Sequence, residues 1–332
     1  MHILFCLDKS ESCNPIGSVN TSINHCECKS RVTGHQCDQC KTGTFYLNTF
    51  TPEGCIECYC SGLTRSCTSA SNLYRDNVEL KMDQYIHGVI LRDLPNITII
   101  KDEMSFDHIN NELIYRDFTF QNDLYWQLPN QFLGNKITSY GGYLNYTFRF
   151  EGNHFSSDDQ IPTAMLIGKN ISLAYYYKAS LRPFVVNTIS IALNENFWSF
   201  TSGQQAQRKD LMFILNNLQA ILLRATPSND VILIGLLTAK LDTTVERLMN
   251  YFPNEHIRAL TVEECDCPPG YMGTSCEKCS PGYKVSKHKS GNNYLFRFTC
   301  VPCFCNGHSN ECDPETGVCI VSLKFFLTLL NL

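Results

Sequence analysis

The chain has 332 residues, 19 cysteines and a formal net charge of −5 at pH 7. That length exceeds the roughly 250–300 residues served by one hydrophobic core, so more than one unit is expected. The mild negative charge and the lack of a lysine and arginine stripe exclude a phosphate-backbone surface, and no nucleic-acid partner is expected.

In chain order, residues 1–12 come first as an unassigned stretch. They hold Cys6 and the short apolar run Met1–Leu7, without a basic start or a signal-length core of roughly 7–15 apolar residues. The expected reading of the two termini is a fragment or an imperfect gene model, with a membrane anchor as the alternative. A cysteine ladder follows: Cys13, Cys26-Glu-Cys28, eight residues, Cys37-Asp-Gln-Cys40, then Cys55, Cys58-Tyr-Cys60 and Cys67. The next 197 residues, Thr68 to Glu264, contain no cysteine and must be held by an ordinary core.

This middle alternates as half-buried strands do. In Leu144–Phe150, the residues Leu144, Tyr146, Phe148 and Phe150 share one face and Asn145, Thr147 and Arg149 the other. Ile171, Leu173, Tyr175 and Tyr177 share a face of Ile171–Lys178. Phe184–Leu193, Ala220–Arg224 and Val231–Leu237 are further strands by their β-branched and apolar content. One helix is predicted, with Leu211, Ile214, Leu215 and Leu218 in its apolar stripe and Arg208, Lys209, Asn216 and Asn217 off it. Many strands with few helices imply a mainly β sandwich or jelly roll. Gly141 and Gly142 suit a turn needing positive φ. Trp126 and Phe132 read as core. The alternative is a sugar-binding face using Trp126, Tyr140 or Trp198.

The ladder then resumes with Cys265-Asp-Cys267, eight residues, Cys276-Glu-Lys-Cys279, a 20-residue gap, Cys300-Val-Pro-Cys303, Cys305, Cys312 and Cys319. "RVTGHQCDQCKTGTFYL" aligns with "PGYMGTSCEKCSPGYKV", an internal repeat that implies an array of modules. Ile56-Glu57 and Val301-Pro302 are expected to be short, stiff linkers. The tail, residues 320–332, is unassigned. Its apolar part, Val321–Leu332, is too short for a membrane span of about 20 residues and contains Lys324.

Spacing alone leaves 105 pairings open for eight cysteines. The order, with the run "CFCNGHSNECDPETGVC" from Cys303, resembles the laminin-type EGF-like module. In that family the first cysteine pairs with the third, the second with the fourth, the fifth with the sixth and the seventh with the eighth. The resemblance implies an incomplete module at 13–57 with Cys13–Cys26, Cys28–Cys37 and Cys40–Cys55. Glu11 and the Asn20–Asn24 region stand where its first and third cysteines would be. These two are partners in the family, so neither loss strands the other, and Cys6 is left unpaired. A second module is split. It starts at 58–67, resumes at 265–302, and holds Cys58–Cys67, Cys60–Cys265, Cys267–Cys276 and Cys279–Cys300. A further module starts at 303–319 with Cys303–Cys312 and Cys305–Cys319, and Val321 stands where its next cysteine is expected. The insert, 68–264, resembles the laminin IV type A domain through Trp126, Leu128, Pro129, Phe132, Leu133 and Gly134, then Ser139, Tyr140, Gly141 and Gly142. "QRKDLMFILNNLQAILLRAT" carries the same likeness.

Laminin α and γ short arms and perlecan-like cores share this arrangement. It implies a jelly-roll-type β-sandwich flanked by disulfide-rich modules, in a secreted structural and adhesion component of basement membrane. Its partners would be other matrix proteins or cell-surface receptors. The alternative function is a carbohydrate-binding module on a disulfide stalk, and a third is a zinc protein using the four Cys-x-x-Cys pairs. In the implied pairing, the two members of each such pair fall in different bonds. No His-Glu-x-x-His, Gly-x-Ser-x-Gly or phosphate-cradling motif appears, so no enzyme activity, cofactor or metal is expected. Asp158-Asp159 reads as a solvated turn. Sequons at Asn20, Asn96, Asn145 and Asn170 are N-glycosylation candidates, with Asn145 on the polar side of its strand.

Overall fold

The computed structural model of the chain describes residues 12–22, 25–82, 88–94, 99–100, 103–116, 118, 123–152, 161–227, 230–246, 257–286, 299–306, 309 and 311–320. Cys6, Glu11, Asn96, Asp158, Asp159 and Val321 lie outside the described residues. The chain divides into two compact units, one running from Asn72 to Val262 and one made of the segments on either side. The insert is thus narrower at both ends than the 68–264 expected from cysteine positions, because Thr68 and Ser69 pair with Glu264 and Glu263 in a hairpin of the disulfide unit.

The insert consists of two antiparallel sheets. Its strands are β1 Leu73–Lys81, β2 Ile90–Asp93, β3 Ile99–Ile100, β4 Ser105–Asp107, β5 Glu112–Tyr115, β6 Leu124–Gln127, β7 Tyr143–Gly152, β8 Ala164–Gly168, β9 Ile171–Tyr175, β10 Val186–Ala192 and β11 Ser199–Phe200, then, after helix α1 Arg208–Asn216, β12 Ala220–Arg224 and β13 Val231–Glu246. One sheet has the order β3-β2-β6-β12-β8-β9-β11. The other runs β4-β5-β13-β7-β10, with β1 also paired to β13. Tyr146 and Phe148 of the second sheet line one small cavity together with Thr163 and Arg224 from the side of the first, so the sheets face each other as a sandwich.

The period-2 reading of β7 matches its burial. Leu144, Tyr146, Phe148 and Phe150 are buried, and Tyr146 and Phe148 stack at 5.2 Å between ring centroids. Each such side chain contributes about 1.5–3 kcal/mol through apolar burial. Elsewhere alternation fails for identifiable reasons. All five residues of β12 are buried, as expected for a strand inside a sheet covered on both faces. In β9 the adjacent residues Leu173 and Ala174 are both fully buried, and the strand ends at Tyr175, short of Tyr177. β10 starts at Val186 because Phe184 sits at φ +62, outside extended space.

The helix is shorter than its stripe. Leu211, Ile214 and Leu215 are buried on α1, but Leu218 lies beyond its end and exchanges backbone hydrogen bonds with Gly134. Asp210 accepts from the Gln207 N–H at 2.9 Å and caps the start. Arg208, off the apolar stripe, is nevertheless buried, with its guanidinium 4.0 Å from the centroid of the Tyr140 ring. A cation over an aromatic face offsets the desolvation that burial imposes.

The second sheet also holds a buried carboxylate. Glu112 is fully buried and accepts from Arg149 Nε at 3.1 Å, while Arg149 also pairs with Glu151. Gly235 opposes both Ile114 and Arg149, and a Cβ there would fall 2.3 Å from Glu112 Oε2. The missing side chain makes room for the pair. Hydrogen bonding to Glu112 holds the Arg149 pKa above its ordinary value, despite the opposing effect of burial. Arg149→Met is expected to destabilise the insert by about 3–5 kcal/mol, since it strands a buried charge, and the double change with Glu112→Gln is expected to lose less. Urea unfolding of both variants checks this.

Candidate functional site

The described residues of the disulfide unit hold nine bridges, all with Cα separations of 5.1–5.9 Å. In 13–57 they are Cys13–Cys26, Cys28–Cys37 and Cys40–Cys55. Next come Cys58–Cys67, Cys60–Cys265, Cys267–Cys276 and Cys279–Cys300. Cys303–Cys312 and Cys305–Cys319 complete the set. Sulfur does the work of a core here: Val32, Cys37 and Cys55 are buried together, with Cys26, Cys28, Cys40 and Leu47 against them. The two members of each Cys-x-x-Cys pair sit in different bridges. The sulfur clusters that come near enough to hold a metal, such as Cys58, Cys60 and Cys67, are spent in S–S bonds.

The backbone repeats with the cysteines. Val32–Thr33 pairs with Gln39–Cys40 as Tyr271–Met272 pairs with Lys278–Cys279. Cys37 and Cys276 hold matching left-handed conformations, φ +58 and +56. The two expected linkers are strand ends instead: Ile56 is buried within Cys55–Glu57, and Val301 lies within Thr299–Pro302. The first cysteine of the following module is then clamped back, Cys58 N–H to Gly43 O at 2.9 Å and Cys303 N–H to Gly282 O at 2.8 Å.

One hairpin recurs in the three modules and carries a different segment in each. In the first, Thr21 opposes Cys26 and Ser22 opposes His25. In the last, Cys312 opposes Cys319 across a short loop. In the middle, Cys67 opposes Cys265, Thr68 opposes Glu264 and Ser69 opposes Glu263, and the insert takes the place of the turn.

This middle hairpin is anchored by Glu263, which is 1% exposed. Its two oxygens accept from the backbone N–H groups of Tyr59 at 2.8 Å and Cys60 at 3.0 Å. Tyr59 is right-handed, and Cys60, Ser61 and Gly62 are left-handed at φ +40, +51 and +72. Successive right- and left-handed residues aim their N–H groups into one concavity suited to an anion, and the Glu263 carboxylate fills it. Ser61 Oγ donates to Ser275 O at 2.7 Å, and Glu264 accepts from the Ser71 N–H at 3.0 Å. Sequence reasoning missed Glu263, because nothing local marks a glutamate whose partners lie about two hundred residues away.

The insert closes its own ends. Ala259 N–H donates to Leu73 O at 2.9 Å, and Arg75 N–H donates to Ile257 O at 2.8 Å. The Arg75 side chain donates to Thr138 O at 2.9 Å and Tyr140 O at 2.7 Å, and it also pairs with Thr261 Oγ1. Burial pushes the Arg75 pKa below its ordinary value, against the pull of Asp242. The Ser-Tyr-Gly-Gly motif is therefore a clasp between the first strand and the last segment. Gly141 has φ +71, and a Cβ there would lie 2.3 Å from Thr261 Oγ1. Gly142 does not need positive φ; it is close to Asp242, whose Cβ an added Cβ would meet at 2.6 Å.

The proposed sugar-face aromatics lie elsewhere. Trp126 and Trp198 are fully buried and Tyr140 is 1% exposed, with its hydroxyl donating to Glu195 at 2.7 Å. They pack the interior, and a ligand face built from them is ruled out by their burial. Phe132 is buried as expected.

The same partition appears in comparison with known proteins. Residues 125–263 match the family Laminin B (Domain IV), and residues 6–55 and 260–293 match the Laminin EGF domain. The chain carries a laminin domain IV set among laminin EGF modules. Its domain IV sits between two strands of a laminin EGF hairpin. A Basement membrane proteoglycan from Caenorhabditis elegans is 35% identical over 94% of this chain and 9% of its own length. The Basement membrane-specific heparan sulfate proteoglycan core protein of Mus musculus is 32% identical over 92% and 8%. Laminin subunit alpha-1 of Homo sapiens is 32% identical over 88% and 10%. The chain thus spans at most a tenth of these relatives. The solved L4b domain of human laminin alpha-2 is 22% identical, with a TM-score of 0.46 over 52% of this chain and 100% of that one.

Two substitutions separate the module anchor from the domain IV clasp. Glu263→Ala leaves the Tyr59 and Cys60 N–H groups without this acceptor and is expected to destabilise the hairpin by about 1–3 kcal/mol. Faster hydrogen exchange at those two amides, with domain IV core exchange unchanged, is the expected readout. Gly141→Ala forces a left-handed alanine against Thr261 and is expected to lower domain IV stability by at least about 1–2 kcal/mol, read by thermal unfolding.

Proposed function

We propose that this chain is a structural and interaction segment of the extracellular matrix, a spacer in which laminin EGF modules carry domain IV at a fixed point. The carrying observation is the hairpin held by Cys60–Cys265 and by Glu263. It makes domain IV a branch of one module, joined by two strands in place of a single tether. Within the disulfide unit, backbone clamps at Cys58 and Cys303 tie each module to the next. The role is mechanical, with no chemical step.

The four-part division of labour extends the proposal: 13–57 is a module lacking one bridge, 58–67 with 265–302 is a split module, and 303–319 begins another. The fourth part is the intervening domain IV, which meets other matrix proteins or cell-surface receptors. The laminin domain matches and the relatives named as basement membrane proteins support a secreted, basement-membrane location. No helix among the described residues is long and apolar enough to cross a membrane.

The test is secretion from cultured animal cells behind a signal peptide, followed by non-reducing peptide mapping and extraction of the cell-deposited matrix. The expected result is a peptide pair joining Cys60 to Cys265 and retention of the protein in the matrix until denaturant is added. Free thiols at these positions, with all protein in the medium, would overturn the proposal.

A further inference from the structure

We propose that Asn145 carries an N-linked glycan whose first sugar packs on the ring of Tyr143, making the outer face of the six-stranded sheet a glycan-covered surface. The proposal rests on the extracellular reading only in requiring passage through the secretory pathway.

The observation is the alternation of β7. Tyr143, Asn145 and Thr147 share its outward face, while Leu144 and Tyr146 are buried on the other. These three outward residues include the asparagine and the threonine of the sequon Asn145-Tyr146-Thr147, with an aromatic ring two places before the asparagine. Tyr143, at the start of β7, is 49% exposed. The neighbours of Asn145 leave the face open. Across β10 the partner is Ser190 and the next is Thr188, both exposed, and across β13 it is Lys240. Lys240 is drawn toward Glu79, its Nζ 3.0 Å from Oε1. Thr147 and Thr188 hydrogen-bond to each other at 3.2 Å, so the floor is small and polar. Among the described residues, no hydrogen bond engages the Asn145 carboxamide.

A half-exposed ring beside a polar floor suits a pyranose. The sugar's axial C–H groups meet the negative aromatic face, and its hydroxyls meet the threonine, serine and lysine groups. The other described sequons lack this arrangement. Asn20 is preceded two places earlier by Ser18, and Asn170 by Gly168. Asn170 also occupies a left-handed position, φ +60, in the two-residue turn between paired Gly168 and Ile171.

The covalent step is redox-neutral. A lipid pyrophosphate-linked oligosaccharide donates its glycosyl group. The bond between sugar C1 and the pyrophosphate oxygen breaks, C1 bonds to Asn145 Nδ2, and Nδ2 gives up one proton to solvent. The lipid pyrophosphate departs with the electron pair of the broken bond. Transfer occurs on the extended nascent chain, and the open face of β7 lets the product fold.

The test uses residues 1–332 secreted from animal cells behind a signal peptide. Peptide mapping after enzymatic deglycosylation in heavy-oxygen water marks each occupied asparagine as a labelled aspartate. Asn145 is expected to be marked, and Asn145→Gln and Thr147→Val are each expected to remove one glycan mass. Enzymatic trimming to the protein is expected to lower the domain IV Tm by about 2–4 °C in the wild type and to leave that of Tyr143→Thr unchanged. Tyr143→Phe, which keeps the ring, is expected to behave as wild type. An unmarked Asn145 in secreted protein sinks the site. Equal Tm loss in wild type and Tyr143→Thr sinks the packing on Tyr143. Neither result depends on whether the protein is retained in matrix.

Discussion

A domain set into a β-hairpin has to return its chain to within one strand spacing of where it left, about 4.8 Å. Most of what is specific in this molecule follows from that constraint. On the module side, Cys67–Ser69 and Glu263–Cys265 stay paired, and Glu263 fills a concavity formed by the backbone at Tyr59 and Cys60. On the domain side, Leu73 and Ala259 share a backbone hydrogen bond, and Arg75 gathers Thr138, Tyr140 and Thr261. Each side holds its pair of ends by its own means. By loop entropy alone, a bridge across 205 residues would stabilise by roughly 5 kcal/mol. Because domain IV already brings its ends together, the actual contribution of Cys60–Cys265 lies well below that value.

The modules tolerate such an insertion because their stability does not reside in the hairpin tip. A unit of this size buries too little apolar surface to hold itself, and cross-links replace the core. Cys37 and Cys55 are as buried as any leucine of domain IV. The tip between the third and fourth cysteine positions is free to be a short loop or an entire sandwich. The same logic explains the first module, where Thr21 occupies the place opposite Cys26 and the strand pairing persists without the bridge.

Domain IV is organised the opposite way, by burial and by a few expensive polar groups. The buried charges have specific partners: Glu112 with Arg149 in the gap left by Gly235, Arg224 with Asp123 at 3.0 Å, and Arg208 on the Tyr140 ring. Unpaired, any of them would be strongly destabilising. The aromatic residues that in isolation suggest a sugar platform are committed to this interior. The ring of Tyr143, 49% exposed on the outer surface, stands apart from the buried set.

The amino-acid sequence by itself determined the modular plan, because cysteine spacing and the Trp-x-Leu-Pro and Tyr-Gly-Gly blocks are local and regular. It also determined the inward face of β7, where a strand buried on one side imposes a period of two. Where both faces are covered, as at Leu173-Ala174 and through β12, that period vanishes and the buried set depended on layers far away in the chain. The placement of Arg208 and Glu263 was likewise decided by tertiary structure. Each charge is stable in the interior only because a ring or a pair of backbone N–H groups meets it there, and no short stretch of sequence contains both halves of such a pair.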